Sequence, residues 1–219
     1  MDIVVFGADS MAELAHFYFG RDSGHRVVAF TVDAEFLKED RFCGLPVVAA
    51  EAIPPQFGAD RCGAFVAIGY GRVNRLRAEK CAAMRAAGYE LVSYVSSRAV
   101  VLSEYTPGWN CLILERVMVQ PRVRIGNAVT LTGGSSITHG TTIEDNVYVG
   151  RLAVVAGDAT IGANSFLGVG CVVGDRVRVG RRCVIGAGAV ITDDTDDDSV
   201  YAAPLAERSR VPSSRLRRL

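Results

Sequence analysis

A single histidine carries the clearest chemical signal in this chain of 219 residues. The chain has three histidines, His16, His25 and His139, and only His139 lies in the C-terminal half, within the stretch SITHGTTIED at residues 136–145. Imidazole is the side chain best suited to accept a proton near neutral pH. An amine or a hydroxyl is a poor nucleophile while it keeps its proton. We therefore interpret His139 as a candidate general base that activates such a nucleophile.

The segment around His139 belongs to a repeat with a period of six residues. An aliphatic residue occupies every sixth position without interruption, and glycine follows seven of these residues directly. A six-residue period fits neither an α-helix nor a simple hairpin meander. It is typical of a parallel β-helix, in which three short strands complete each coil and small or branched side chains fill the inner columns. The fourteen aliphatic positions are Ile113, Val119, Ile125, Leu131, Ile137, Ile143, Val149, Val155, Ile161, Leu167, Val173, Val179, Ile185 and Ile191.

The column that contains His139 supports a chemical role for this residue. Three six-residue units make one coil, so residues 18 positions apart lie in one column. The column neighbours of His139 are Pro121, Gly157 and Asp175, none of which is a histidine. His139 is therefore not a repeated structural residue.

The first 100 residues follow a different rule, because short apolar runs alternate with helical patterns. This alternation predicts a Rossmann-like parallel sheet with helices on its faces. The predicted strands are residues 2–6, 26–32, 65–68 and 91–95, and the predicted helices are residues 11–19 and 74–87.

Ligands of such sheets bind at the carboxyl ends of the strands. Three of the predicted strands are followed by residues suited to a ligand site. These residues are Gly7, Ala8, Asp9, Ser10, Met11, Asp33, Gly69, Tyr70, Gly71 and Asn74.

Composition limits the class of protein and its partners. Lysine plus arginine equals aspartate plus glutamate, 24 each, so net charge gives no reason to expect nucleic acid or an anionic membrane as a partner. No apolar run approaches the roughly 20 residues of a membrane span, and the first residues show no signal-peptide pattern. The six scattered cysteines predict reduced thiols. We expect a soluble cytoplasmic protein with an α/β domain (1–100), a β-helix (101–200) and a basic tail (201–219).

The six-residue repeat resembles that of the left-handed β-helix acyltransferases. Together with the small α/β domain before it, the chain resembles the bacterial sugar acyltransferases of the bacillosamine and perosamine N-acetyltransferase and sialic-acid O-acetyltransferase-like family. This resemblance implies a homotrimer with active sites between neighbouring β-helices. It also implies that the α/β domain holds a nucleotide-linked amino sugar and that acetyl-CoA lies along the β-helix. The family's I-x-H-x-x-x-I segment matches residues 137–143, which makes His139 the implied base.

The resemblance also assigns positions that contact coenzyme A. Gly157, Val169 and Ala187 match positions whose backbone meets the pantetheine arm in the family, and Gly168 and Gly186 flank the latter two. Small residues there let a ligand approach the backbone closely. The N–H group of Gly157 is our candidate donor to an oxyanion. The arginine-rich tail is either a contact for the 3′-phosphate of the coenzyme or a solubilising terminus.

The chain departs from the family pattern near the histidine and in the nucleotide loop. Gly140 follows His139 where the family often has an acidic residue, and Tyr148 stands where a second family histidine falls. Glu144 replaces a glycine of the repeat, so we assign it as the candidate carboxylate that orients His139. Asp9 in the nucleotide loop would repel a phosphate, whereas Asp33 is able to accept a hydrogen bond from a ribose or base.

The sequence thus favours an acetyl-CoA-dependent N-acetyltransferase acting on a nucleotide-linked deoxy-amino sugar in surface glycan biosynthesis, such as that of lipopolysaccharide. A sugar O-acetyltransferase would use the same base, and a non-catalytic β-helix that only binds a ligand is the third reading. The zinc-containing β-helix carbonic anhydrases need three histidine ligands, whereas the repeats contain one, so we exclude that class and expect no metal. The acidic run at 193–198 fits a solvated exit from the last coil.

Overall fold

The computed structural model describes residues 1–206, 208 and 215. Most of the predicted basic tail therefore lies outside the described residues. The described chain forms an α/β sheet followed by a parallel β-helix. No helix in this part of the chain is long and apolar enough to cross a membrane.

The α/β part contains a five-stranded sheet with the strand order β3-β4-β2-β1-β5. All neighbouring strands are parallel except β3 and β4, which form an antiparallel pair. Strands β3 and β4 were not predicted, because the first is two residues long and the second contains a proline. The elements are β1 (Asp2–Phe6), α1 (Ser10–Asp22), β2 (Arg26–Val32), β3 (Arg41–Phe42), β4 (Leu45–Ala49), β5 (Gly63–Val66) and α2 (Arg75–Ala86), with short 3-10 helices at Ala34–Phe36, Ala50–Ala52 and Pro55–Phe57.

Strand β1 is buried on both faces because a helix covers each side of the sheet. Ile3 and Val5 pack with Phe19 of α1 in one apolar cluster, whereas Val4 packs with Met84 of α2 in another. This alternation follows from the two-residue period of side chains along a strand. The sheet edge at the carboxyl ends of its strands is thereby fixed between the two helices.

The β-helix consists of two-residue strands that form three parallel sheets. Sheet I contains β6, β8, β11, β14, β17, β20 and β22; sheet II contains β7, β9, β12, β15, β18 and β21; sheet III contains β10, β13, β16 and β19. The strands are β6 (Tyr94–Val95), β7 (Val100–Val101), β8 (Leu112–Ile113), β9 (Met118–Val119), β10 (Arg124–Ile125), β11 (Thr130–Leu131), β12 (Ser136–Ile137), β13 (Thr142–Ile143), β14 (Tyr148–Val149), β15 (Val154–Val155), β16 (Thr160–Ile161), β17 (Phe166–Leu167), β18 (Val172–Val173), β19 (Arg178–Val179), β20 (Val184–Ile185), β21 (Val190–Ile191) and β22 (Val200–Tyr201).

The six-residue period predicted this part of the structure strand by strand. Each of the fourteen strands from β8 to β21 ends on one of the fourteen predicted aliphatic residues, and all fourteen are buried in one core. Neighbouring strands pair with an offset of 18 residues, as in Ile125 with Ile143, so three units complete one coil. The predicted strand at 91–95 is divided. Leu91 makes an isolated bridge to the α/β sheet, whereas Tyr94–Val95 begins sheet I.

The turns of the coil use the left-handed backbone conformation once in every six residues. These residues lie three positions before each aliphatic residue, with φ between 52° and 79°. The glycines that follow the aliphatic residues serve a different purpose. A Cβ on Gly162 would lie 2.6 Å from the carbonyl carbon of Gly180, one coil away, so these glycines permit the close stacking of coils. The left-handed positions are Asn110, Arg116, Arg122, Ala128, Gly134, Gly140, Asn146, Leu152, Asp158, Asn164, Gly170, Arg176, Arg182 and Gly188.

Helix α2 and the residues before it attach the α/β part to the β-helix. Arg77 is buried and donates to the carbonyl groups of Ala128 (3.2 Å) and Asn146 (2.8 Å) in two successive coils. The amide of Asn74 donates to Asn164 O at 3.1 Å in the next coil. These bonds run along one corner of the β-helix, the corner that leads from sheet III to sheet I. The two parts are therefore held in one defined arrangement.

Candidate functional site

His139 lies at the corner that leads from sheet II to sheet III, which we call corner II–III. Its backbone is fixed by the coils on either side, because its N–H donates to Gln120 Oε1 (3.0 Å) and its carbonyl accepts from Asp158 N (2.9 Å). The residue itself is exposed. A rigid backbone thus presents an accessible imidazole.

Gly157 lies one coil beyond His139 at the same corner. A Cβ on residue 157 would lie 2.8 Å from Cε1 and 3.0 Å from Nε2 of His139, so the imidazole rests against the glycine backbone. The N–H group of Gly157 donates to Asp175 Oδ1 at 2.8 Å. The amide that we predicted as an oxyanion donor is therefore engaged by a carboxylate in this structure. Asp175 must move away before this amide is able to serve a ligand.

Glu144 does not lie beside His139. It belongs to the corner between sheets III and I, where its Oε2 accepts from Ala163 N (3.0 Å) and lies 3.4 Å from Nε of Arg181. The predicted orienting role of Glu144 is therefore not supported within one chain, because the side chain holds a different corner together. Corner II–III has carboxylates of its own: Asp175 Oδ1 lies 3.3 Å from the position of a Cβ on Gly157, and Asp158 lies 4.0 Å from Arg122.

The predicted coenzyme positions fall at two different corners. Gly157 shares corner II–III with His139, whereas Val169 and Ala187 lie at the corner that leads from sheet I to sheet II, which we call corner I–II. Val169 is 53% exposed, so corner I–II is open to a ligand. Gly168 and Gly186 precede these residues and allow the coils to stack, since a Cβ on Gly168 would lie 2.5 Å from Ala187 N. One chain does not bring the two groups of positions together.

A cavity of about 630 Å³ lies at the carboxyl ends of β1, β2 and β5. Four of the predicted ligand residues line it: Gly7, Ala8, Asp9 and Asp33. The other six do not line it. Ser10 and Met11 begin α1, Tyr70 contacts Tyr148 of the β-helix with Gly69 and Gly71 on either side, and Asn74 is buried against the β-helix. The predicted ligand residues thus lie at the edge of the sheet that carries the cavity, and four of them form part of its lining.

Charged side chains in the lining influence which ligands this cavity accepts. Asp9 caps α1, since its carboxylate accepts from Met11 N at 2.9 Å and from Ala12 N at 3.3 Å. The helix N-terminus is therefore already occupied by a carboxylate, which disfavours a phosphate there. Lys80, which sequence reasoning missed, supplies a cation in the cavity and pairs with Asp33 at 2.6 Å. In the sequence, Lys80 was visible only as a lysine within the predicted helix at 74–87, with nothing to place it beside Asp33.

Three aromatic side chains lie between the α/β part and sheet I. Tyr70, from the loop after β5, contacts Tyr148 and Phe166 with ring centroids 5.3 and 4.8 Å away. Tyr148 and Phe166 are stacked, with centroids 5.5 Å apart and an interplanar angle of 22°. Burial raises the pKa of Tyr148, so its hydroxyl stays protonated and able to donate. We call Tyr70, Tyr148 and Phe166 the aromatic cluster.

The acidic run near the end of the β-helix is used for structure. Asp194 and Asp197 accept from the backbone N–H groups of Arg178 and Arg181, and Asp198 forms a two-point pair with Arg182 at 2.6 Å. Within residues 1–206, 208 and 215, no group of three or more His, Cys, Asp or Glu side chains is placed to hold a metal ion.

Comparison with known proteins agrees with the architecture and with the repeat. The family described as bacterial transferase hexapeptide (six repeats) matches residues 140–175 and 159–193. No curated protein matches the chain in sequence. A mutant of GDP-perosamine N-acetyl transferase from Caulobacter crescentus, solved with CoA and GDP-perosamine, is 26% identical with a TM-score of 0.83, and the match covers 93% of this chain and 94% of that one.

Two further structures share the fold. The acetyltransferase domain of PglB from Neisseria gonorrhoeae, solved with acetyl coenzyme A, has a TM-score of 0.78 at 21% identity, covering 92% of this chain and 96% of that one. WeeI from Acinetobacter baumannii has a TM-score of 0.77 at 20% identity, covering 91% and 96%. The predicted fold class, an α/β domain followed by a left-handed parallel β-helix, is confirmed.

Proposed function

We propose that this chain, whose repeat matches the bacterial transferase hexapeptide family, transfers the acetyl group of acetyl-CoA to the amino group of a nucleotide-linked deoxy-amino sugar. The observation that carries this proposal is the exposed imidazole of His139, which rests against Gly157 at a rigid corner of the β-helix. The structurally similar Caulobacter enzyme was solved with CoA and GDP-perosamine, and the match between the two proteins covers nearly the whole of both chains.

In this proposal His139 acts as the general base. Acetyl-CoA supplies an activated acyl group when it is bound, and the bond from its carbonyl carbon to sulfur is exchanged for a bond to the sugar nitrogen. His139 takes the proton that the amine loses as this bond forms and returns it to the departing thiolate, so no net proton change remains on the protein. An amide N–H at corner II–III would stabilise negative charge on the acyl oxygen. Gly157 is the candidate donor once Asp175 has released it.

We place the coenzyme between two copies of the chain in a homotrimer. Gly157 and His139 at corner II–III would face Val169 and Ala187 at corner I–II of a neighbouring copy, which explains why one chain separates them. The outer faces of the sheets agree with this arrangement. Sheet II presents an apolar stripe, whereas sheet III presents arginine and threonine. The stripe on sheet II consists of Val100, Met118, Val154, Val172 and Val190, interrupted by Ser136.

The cavity of the α/β part is the proposed site of the sugar nucleotide. Asp33 and Lys80 place an acceptor and a donor side by side, which suits the polar edge of a base or a ribose. The reaction would supply an N-acetylated sugar for surface glycan assembly. Acetyl-CoA and sugar nucleotides are both made in the cytoplasm, where we propose that the protein acts.

A thiol-release assay tests the proposed function. The protein is mixed with acetyl-CoA and a panel of UDP- and GDP-linked amino sugars, and free CoA is measured with a thiol reagent. We expect release with at least one amine acceptor, and His139→Ala should lower kcat by about 10²- to 10⁴-fold. His25→Ala serves as the matched control outside the site.

The same assay separates the rival functions. Release only with hydroxyl acceptors would support the O-acetyltransferase alternative, in which His139 remains the base. A folded His139→Ala variant with an unchanged transfer rate would show that His139 is not the base. No release with any acceptor would favour a β-helix that only binds its ligands.

A further inference from the structure

The aromatic cluster lies on the path between the α/β cavity and the β-helix. Ile68 and Arg72, two residues before and after Tyr70, both line the cavity. Tyr148 and Phe166 lie opposite each other on neighbouring strands of sheet I. Tyr70 thus stands between the cavity and the outer face of sheet I.

Simple packing between the two parts of the chain does not account for this cluster. Tyr70 is 57% exposed, whereas the contacts that hold the two parts together are buried at Arg77 and Asn74. Tyr148 and Phe166 stack on each other, and the Tyr70 ring packs against both of them, at 71° and 50°. The two stacked rings therefore support Tyr70, whose exposed part leaves an aromatic surface open to a ligand beside the cavity.

Hydrogen bonds hold the loop that carries Tyr70 at both of its ends. Arg77 donates to the carbonyl group of Gly69 at 3.2 Å, immediately before Tyr70, while the same guanidinium holds Asn146 O in the β-helix. Asn74, after Tyr70, donates to Ser165 O at 3.0 Å. These hydrogen bonds reach carbonyl groups next to Phe166 and two residues before Tyr148, so the backbone that carries all three rings is held in place. Such pre-organisation is typical of binding sites, because little order is lost when a ligand binds.

We propose that the aromatic cluster is the platform on which the pyranose ring of the acceptor sugar packs while its nucleotide occupies the α/β cavity. This inference rests on the proposed function, because it identifies the residues that position the acceptor in that reaction. A pyranose ring has an apolar face of C–H groups that suits a flat aromatic surface, and its hydroxyl or amino groups are able to bond the Tyr148 and Tyr70 hydroxyls. The three residues are positioning residues for the acceptor, not acid–base groups.

Binding measurements on the full chain test this platform without relying on catalysis. Calorimetry compares GDP-perosamine with GDP, and a UDP-linked amino sugar with UDP. For at least one pair, we expect the sugar nucleotide to bind more tightly than the bare nucleotide. Tyr70→Ala should weaken the binding of the sugar nucleotide about tenfold and leave the affinity for the bare nucleotide unchanged, as the loss of an aromatic contact predicts. Phe166→Leu keeps apolar volume without a ring and should give the same pattern.

Kinetics provide the second readout, with Tyr105→Ala as the control because Tyr105 is an exposed aromatic residue that contacts Arg124 elsewhere. The KM of the acceptor should rise about tenfold in Tyr70→Ala, whereas the KM of acetyl-CoA should not change. The proposal would be overturned if Tyr70→Ala weakened the binding of the sugar nucleotide and of the bare nucleotide equally. It would also be overturned if Tyr70→Ala raised only the KM of acetyl-CoA. It is also overturned if the wild-type protein binds no sugar nucleotide more tightly than the nucleotide alone. Binding with the expected pattern but no acetyl transfer would uphold the platform and refute only the proposed activity.

Discussion

The contact between His139 and Gly157 leaves no room for a side chain at position 157. The φ angle of Gly157 is not in the left-handed region, so the backbone itself tolerates alanine. The added Cβ would lie 2.8 Å from Cε1 of the imidazole, so His139 must move. We expect Gly157→Ala to remain folded and to lower kcat about 10²-fold, since displacement of a reacting group by about 1 Å has an effect of that size.

The control for this substitution is Gly20→Ala, where a Cβ has no neighbour within 4 Å. Steady-state kinetics measure the change in kcat, and the NMR shift of the His139 Cε1 proton reports the displacement of the imidazole. An unchanged kcat with a shifted imidazole signal would show that the position of His139 does not limit the reaction.

His25 gives the α/β part a pH dependence of its own. Burial is the largest cause that lowers the pKa of His25 below 6.5, the N-terminal ammonium lowers it further, and Glu90 opposes the shift. The folded state therefore binds a proton on His25 less readily than the unfolded chain. The contribution to stability is complete above about pH 6.5 and decreases as the pH falls from there toward the lower folded pKa.

We expect the free energy of unfolding of His25→Gln to depend less on pH than that of the wild type between pH 7 and 5. Urea denaturation at several pH values measures this difference. Asp2 and Asp22 also affect stability, because folding lowers their pKa values from 3.8. Their contribution to the free energy of unfolding is lost only below about pH 4, outside the range that tests His25. Parallel curves for the two proteins would contradict the assignment.

At the scale of elements, helix α2 depends on Arg77 for its attachment to the β-helix. Desolvation by burial lowers the pKa of Arg77 to about 10, and within residues 1–206 its side chain donates hydrogen bonds to backbone carbonyls. Arg77→Met would leave those buried carbonyls without a donor. We expect a loss of about 3 kcal/mol in the free energy of unfolding, measured by urea denaturation.

Arg75→Met on the exposed face of the same helix is the control and should cost less than about 0.5 kcal/mol. Hydrogen exchange adds a structural readout, because the amides of α2 and of the loop after β5 should lose protection first. An Arg77→Met protein as stable as Arg75→Met would show that water replaces the guanidinium without cost.

The elements differ in how far the sequence determines them. Each unit of the repeat pairs with a unit 18 residues away, so a local pattern in the sequence is also a tertiary contact, and every strand from β8 to β21 followed from it. Strands β3 and β4 have no such periodicity. Glu144 was assigned to the wrong corner, because it belongs to the six-residue unit after that of His139 and each successive unit of a coil ends at a different corner. Lys80 and Arg77 escaped notice because their partners depend on how α2 packs.

At the scale of the whole molecule, the three faces of the β-helix are unequal. Sheet I is covered in part by the α/β domain, since Tyr94 and Leu112 pack into its core. Sheet III carries Arg124 and Arg178 toward solvent. Sheet II exposes an apolar stripe on which Val190 is 64% exposed. An exposed apolar face marks an interaction site, and the proposed partner is a second copy of the chain, which would also complete the proposed active site.

A subunit-mixing experiment tests this shared site directly. His139→Ala removes the proposed base at corner II–III, and Val169→Trp fills the exposed position at corner I–II. We expect each variant alone to be nearly inactive. In trimers assembled from equal amounts of the two, about one quarter of the sites would combine an intact His139 from one copy with an intact Val169 from its neighbour.

Co-expression with two different affinity tags isolates the mixed trimers, and thiol release measures their activity. Each isolated mixed trimer would hold one active site out of three, so recovery of about a third of the wild-type rate would establish that each site is built from two chains. If both residues belonged to the site of a single chain, mixing would recover nothing, because no chain carries both intact residues. Mixtures of wild type with either variant give the reference, since half of their sites should remain active under either arrangement. The separation of Gly157 from Val169 on one chain makes recovery the expected result.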